Sequence, residues 1–350
     1  MLFIGIFVII LIFFGSKIQY KPLANSLSTT HSKGIRGAAA LVVLIHHIML
    51  EMPEDGGLIS FFQRSGFLAV SLFFFYSGYG LMKSHQDKEN YAKTFFSRRI
   101  LAIALPYAVI TAIYWLADQA FGIPHDLKGV LLAIYNGTPI VKDSWYIVAI
   151  LIFYCFYWVL MLLFKQRKGL ILAGSAAWLV LWLLFCKRMN YQFYWYNTAP
   201  CLCLGLVVAV TEQKLLNVVK RWYPWLLAAA AVLFVVSYLG IVYLPIAGIA
   251  QLLLYWVTGV LFVILVLLLT ATVRIGNPVL EFLFGISLEL YLIHRLVMNF
   301  LRSKFLFIEN DILWSISVLL LSAGLAFGLH WCFTHMNRGI QKLFGLRKQK

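Results

Sequence analysis

Gly34-Ile35-Arg36-Gly37-Ala38-Ala39-Ala40-Leu41-Val42-Val43-Leu44-Ile45-His46-His47-Ile48-Met49-Leu50 reads as a membrane span, yet it carries an arginine and two histidines. Ionisable groups in hydrocarbon are costly, so they mark a functional site by default. On a helix, the steps from Arg36 to His47 turn through about 1100°, close to three full turns, and climb ~16 Å. Both side chains therefore share one face, with His47 deep in the span. His46 is rotated away by about 100° and does not share it. Glu51 falls four positions after His47 and is the candidate to orient its ring.

The rest of the chain agrees with a membrane reading. Of its 350 residues 62% are hydrophobic and 12% charged, where soluble domains carry about 25% charge. The expected fold is an all-α polytopic transmembrane helix bundle with about 10–11 spanning helices. The apolar segments fall at roughly 2–16, 35–50, 59–82, 100–121, 145–164, 169–186, 195–211, 222–243, 247–273, 279–301 and 312–333, judged against the ~20 residues needed to cross. The first is the shortest. It lacks a basic start and a small-residue cleavage signal, and so is expected to be an uncleaved helix. Organisation follows: an extra N-terminal helix and cytoplasmic connection over 1–33, one membrane domain over 34–335 and a basic cytoplasmic tail over 336–350.

A net charge of +16 raises the question of nucleic acid, and the placement of the charges answers it. Alternating connections put Lys17, Lys21, Lys33, Lys83, Arg98, Arg99, Lys165, Lys214, Arg274 and the tail on one side. The other side receives only Lys128, Lys142, Lys187, Arg188, Arg302 and Lys304. The positive-inside rule then puts the N-terminus outside and the C-terminus in the cytoplasm. The charge is topological, no nucleic-acid partner is expected, and the bilayer is the first partner. The five cysteines show no metal or disulfide spacing and read as small buried thiols.

Three constellations bear chemistry. Arg36 and His47 form the first, with His47 the candidate general base or nucleophile because imidazole can take a proton near neutrality; the bland alternative is that Arg36 snorkels and His47 links helices. The second joins a small-residue span, Gly66 to Gly80, to Phe95-Phe96-Ser97-Arg98-Arg99 and Pro106-Tyr107. Guanidinium forks suit phosphate oxygens, although Arg98 and Arg99 also read as a topology anchor. The third is Phe284 to Arg295, where Ser287, Tyr291 and His294 make one helical stripe. If that helix starts near Val279, His294 lies ~22 Å along it, close to the depth of His47. The two histidines are then candidates to line one cavity; in the bland alternative the stripe only holds helices together and Arg295 and Glu289 form an internal pair.

In this order the segments resemble the acyltransferase-3 family of integral membrane O-acyltransferases. The family's Arg-x10-His motif falls on Arg36 and His47, and its Phe-Phe-x-x-Ser-Gly segment on Phe73 to Gly78. Its Phe-x-x-Arg-Arg stretch leading to Pro-Tyr matches Phe95, Arg98, Arg99, Pro106 and Tyr107. Ser144-Trp145-Tyr146 is similar to its aromatic span entrance. Its late Ser-x-x-x-Tyr-Leu-x-His segment matches Ser287, Tyr291, Leu292 and His294. Many members carry a further arginine where this chain has Ala102, and the segment before Gly15 is an addition to the usual ten-helix core. The resemblance implies transfer of an acyl group, acetyl foremost, from cytoplasmic acyl-CoA to a hydroxyl of a cell-surface or lipid-linked glycan, in a plasma membrane. It assigns His47 and Arg36 to catalysis, Arg36, Arg98 and Arg99 to acyl-CoA, and Ser287, Tyr291 and His294 to the acceptor or oxyanion. It implies no metal and no tightly bound cofactor, acyl-CoA being a co-substrate. A transporter or flippase of lipid-linked sugars is the non-enzymatic alternative, since it too needs polar groups within helices.

Overall fold

The computed structural model describes residues 2–18, 27–54 and 57–343. Lys21 and the tail residues Arg347, Lys348 and Lys350 lie outside them. The chain is helical almost throughout: α1 (Leu2–Phe13), α2 (Thr29–Met49), α3 (Leu58–Asp87), α4 (Tyr91–Phe95), a π-helical turn (Phe96–Ile100), α5 (Leu101–Phe121), α6 (Leu127–Tyr135), α7 (Trp145–Phe164) and α8 (Lys168–Arg188). After a 3-10 turn (Phe193–Trp195) come α9 (Pro200–Tyr243), α10 (Gly248–Thr270), α11 (Pro278–Gly285), α12 (Ser287–Leu301) and α13 (Asp311–Leu343). The expected basic tail from 336 thus begins inside α13. Two strand pairs accompany the helices: β1 (Lys17–Ile18) with β2 (Val273–Arg274), and β3 (Arg302–Ser303) with β4 (Leu306–Phe307), both antiparallel.

Among the described residues, seven helices are long and apolar enough to cross a membrane. The all-α polytopic bundle is borne out. Two expected spans change in detail. The 12 residues of α1 reach only ~18 Å, short of a ~30 Å hydrocarbon core. The segments 195–211 and 222–243 are, as expected, two helices, and within α9 they meet at a kink at Trp222 (φ −119°, ψ 16°). Pro224 causes it, because proline lacks the N–H that would bond the previous turn and its ring clashes there. The segment 279–301 is broken at Ile286 (φ −103°, ψ 9°), which separates α11 from α12.

The chain divides into two compact units, residues 1–87 with 193–285, and residues 88–192 with 286–350. In the first, small residues let helices cross backbone on backbone. A Cβ on Gly78 of α3 would lie 2.1 Å from the Leu202 carbonyl oxygen, and one on Gly205 of α9 would lie 2.2 Å from the Phe75 carbonyl oxygen. Without a hydrophobic drive between helices in lipid, that intimacy is what holds them. In the second unit, large rings do the packing. Phe95 is fully buried against Tyr154 and Tyr157, and Trp178 stacks on Trp182 at 5.6 Å. Of the cysteines, Cys186 and Cys201 are buried and Cys203 half-buried, but Cys155 and Cys332 are exposed, which corrects the expectation of five buried thiols. Their helices present them on faces that lipid can cover.

Candidate active site

In the first unit α2 starts on the side chain of Ser28, whose hydroxyl accepts from the His31 N–H at 3.3 Å. That satisfies one of the orphan donors of the first turn. The helix then lies directly on the chain leading into α11. A Cβ on Gly34 would sit 2.2 Å from the Ile275 carbonyl oxygen, and one on Gly37 would sit 1.9 Å from that of Leu280. No side chain fits at either position. Between them Arg36 is carried onto α11, its guanidinium 4.0 Å from the ring centre of Phe284 and 5.5 Å from that of Tyr76 on α3.

The stem of Arg36 runs back along its own helix, Nε donating to the Ser32 carbonyl at 3.3 Å and Nη2 to the Ser32 hydroxyl at 3.0 Å. Arg36 is half-buried among aromatic faces, whose quadrupoles attract a cation without neutralising it.

His47 is buried at 8% exposure. Its neighbour His46 is committed elsewhere: Nδ1 donates to the Phe62 carbonyl at 3.0 Å, and the ring fills the hollow over Gly66, where a Cβ would come within 2.4 Å of it. Gln63 secures the end of the same helix, Nε2 donating to the carbonyls of Met49 at 2.8 Å and Met52 at 2.9 Å. Two carbonyls at the helix end are thereby satisfied, and α3 fixes the height at which His47 stands. α2 ends at Met49 with Leu50 as its cap, and Glu51 follows in an exposed turn, its N–H bonded to the Ile48 carbonyl at 3.2 Å.

In the second unit Arg98 and Arg99 do not act as a matched pair. Both lie in the π-helical turn, a feature frequent at functional sites. Arg98 is exposed, whereas Arg99 turns inward and its Nε donates to the Tyr91 hydroxyl at 3.1 Å.

The stripe on α12 gathers around Asp143, which the sequence reading passed over. Asp143 has φ 62°, in the left-handed region that Asp tolerates better than most residues. The Tyr291 hydroxyl donates to its carbonyl, and Arg295 Nε donates to its carboxylate at 2.8 Å. Tyr291 and Arg295 are four apart, so one helix face clamps both ends of one residue. The expected pair of Arg295 with Glu289 is thus replaced, Glu289 instead meeting His330 at 3.1 Å. A signal existed: Asp143 is the sole acidic residue from 127 to 211, immediately ahead of the Ser144-Trp145-Tyr146 entrance.

His294 is 1% exposed, with Nδ1 3.2 Å from the Leu290 carbonyl. A carbonyl only accepts, so Nδ1 carries the proton and Nε2 of the neutral ring is an acceptor. The Tyr291 and His294 rings lie 6.1 Å apart. Tyr291 has one proton and directs it at Asp143, so serving an oxyanion would mean breaking that bond. Ser287, half-buried, is the first residue of α12. Tyr107 accepts from the Ser144 hydroxyl at 3.4 Å, holding the Asp143–Ser144 turn from the α5 side.

The first unit thus offers a cation held by rings and a buried imidazole on one helix, and the second an imidazole acceptor beside a clamped carboxylate. Such parts suit anion binding and proton transfer. A family model described as an acyltransferase domain, Acyl_transf_3, matches residues 32–331. No curated protein and no solved structure matches the chain.

Proposed function

The chain belongs to the acyltransferase-3 family, a family of membrane acyltransferases, and on that premise we propose that it moves an acyl group, acetyl foremost, from cytoplasmic acyl-CoA to a hydroxyl of a cell-surface or lipid-linked glycan. The observation that carries this reading is α2, which holds the ring-bracketed guanidinium of Arg36 and the buried imidazole of His47 three turns apart on one rigid element. Anion recognition and proton transfer are then fixed in one geometry.

In this proposal His47 takes the proton of the acceptor hydroxyl as its oxygen bonds to the thioester carbonyl carbon. The C–S bond breaks, and the departing CoA thiolate takes the proton back from the imidazolium. Arg36 supplies positive charge to the acyl donor, where a delocalised guanidinium held by rings keeps its orientation without losing its charge. Arg98, exposed, meets CoA phosphates, and Arg99 supports it from within the π-turn. His294 receives an acceptor hydroxyl through Nε2, Ser287 adds a polar contact, and Tyr291 with Arg295 fixes the Asp143 turn instead of acting on the oxyanion. The basic connections and the residues after α13 face the cytoplasm of a plasma membrane.

The test is mass spectrometry of surface glycans from cells producing the intact protein, His47→Ala or Arg36→Ala at matched levels, paired with labelled acyl-CoA and isolated membranes. Loss of the same ester in both variants, with loss of label transfer, is expected. An unchanged ester pattern would overturn the assignment. Accumulation of an unmodified lipid-linked sugar on the inner side, without label transfer by the intact protein, would favour a transporter.

A further inference from the structure

Within the first unit a cavity of about 450 Å³ lies beneath α1, walled by Phe13 of α1, Ala39 of α2, Phe62 and Leu68 of α3 and Val266 of α10. Its rim is open, since Phe13 at 58% exposure and the other rim residues Ile9, Phe61 and Leu269 are all exposed. A volume in the ~300–1,000 Å³ range is that of a ligand site, and an apolar cavity does not hold water. α1 precedes the segment 32–331 that the family model covers, so this cavity is not built by the matched domain alone.

Two aliphatic residues of the wall, Val273 and Ile275, flank Arg274 in sequence, and Arg274 stands directly opposite Lys17 in the β1–β2 ladder. Directly opposed residues of an antiparallel pair project to the same side, and like charges there destabilise the pairing. Among the described residues, neither Lys17 nor Arg274 makes an ion pair. The crowding has a measurable neighbour: His31, in the first turn of α2 ahead of the span, is held below its ordinary value by burial and then by Arg274. The ladder is nonetheless kept, and Asn277 ties it to the end of α1, Nδ2 donating to the carbonyls of Leu11 at 2.8 Å and Phe14 at 3.1 Å. A two-residue pair this short, carrying opposed cations beside an apolar cavity, has the charge pattern of a lipid headgroup site.

We propose that an anionic phospholipid binds here, one acyl chain filling the cavity under α1 and its phosphate lying between Lys17 and Arg274. Lipid tails in a bilayer are already in apolar surroundings, so the chain gains packing but little hydrophobic free energy on entering. Headgroup charge must therefore provide the selectivity, and the site ranks anionic lipid above zwitterionic lipid of the same chains. The ligand would stitch α1 to α2, α3 and α10 through contacts that the protein side chains alone leave unmade.

The experiment is native mass spectrometry of the full chain in detergent, exchanged against equal amounts of phosphatidylglycerol and phosphatidylcholine with matched chains. One retained phosphatidylglycerol per chain, in excess over phosphatidylcholine, is expected. Lys17→Gln and Arg274→Gln should each reduce its retention roughly fivefold, leaving phosphatidylcholine unaffected. Ala39→Phe, which fills the cavity, should remove adducts of both lipids. Equal retention of the two lipids, or unchanged phosphatidylglycerol in the double charge variant, would overturn the proposal. So would displacement of the lipid by millimolar inorganic phosphate, which would mark a simple anion site. Should Ala39→Phe fail to fold, the charge variants, at exposed and half-buried positions, still decide.

Discussion

Arg36 and Arg295 are both arginines inside apolar helices, and the two units of the molecule satisfy them by different chemistry. On α12, Arg295 donates to the Asp143 carboxylate at 2.8 Å, so charge cancels charge and the pair fastens a loop to a helix. On α2, Arg36 is bracketed by Phe284 and Tyr76 and tied back to Ser32. Rings fix the plane of a guanidinium and leave its charge in place. The comparison sets an arginine fastened by a carboxylate, an architectural clamp, beside one whose plane is fixed by aromatic faces. Their histidines differ in the same sense. His294 has its tautomer set by its own helix, whereas His47 has its height set by another helix through Gln63.

Breaking the comparison begins with the imidazoles. His47→Ala should lower the turnover of acyl transfer by about 10³-fold, the middle of the range for a general base, with protein levels unchanged. His294→Ala should act chiefly on the KM for the acceptor and leave that for acyl-CoA alone. Initial rates with each substrate varied in turn separate the two, and a larger turnover loss for His294→Ala would exchange the roles. Arg36→Lys, which keeps the charge but loses the planar fork and much of the ring contact, should retain less than about a tenth of wild-type kcat/KM.

The glycines of α2 come next. Gly37→Ala drives a methyl group into the Leu280 carbonyl and should cost about 3 kcal/mol or more, seen as a lowered midpoint of thermal unfolding in detergent. Gly80→Ala, with open space around it, should be neutral or slightly stabilising in the same measurement. A smaller effect is expected at the clamp. Asp143→Asn and Arg295→Met should each cost about 1–2 kcal/mol, less than a fully buried pair, because the two side chains keep 26% and 16% of their exposure. A double-mutant cycle should return a coupling energy between them, and additivity would show that the clamp is not one.

The smallest effect concerns His31. Its imidazole is held down by burial and by Arg274, so adding anionic lipid at the β1–β2 ladder should raise its titration midpoint, since a nearby anion favours the charged ring. An unmoved midpoint with phosphatidylglycerol bound would separate the lipid from the ladder.

Composition and periodicity alone determined that this chain is an all-α membrane protein, because burial in hydrocarbon demands long apolar helices whose backbones satisfy themselves. They also placed Arg36 and His47 on one face, since helical geometry is local. What they did not determine depends on partners far away in sequence. The break at Ile286 split one expected span into α11 and α12. Asp143 owes its importance to Tyr291 and Arg295, about 150 positions later, and the two glycines of α2 owe theirs to the carbonyls of Ile275 and Leu280. A sequence records which side chains carry charge and how a helix faces them, but only the packed structure decides whether a cation meets a carboxylate or a ring, because that choice is made between elements that local geometry does not connect.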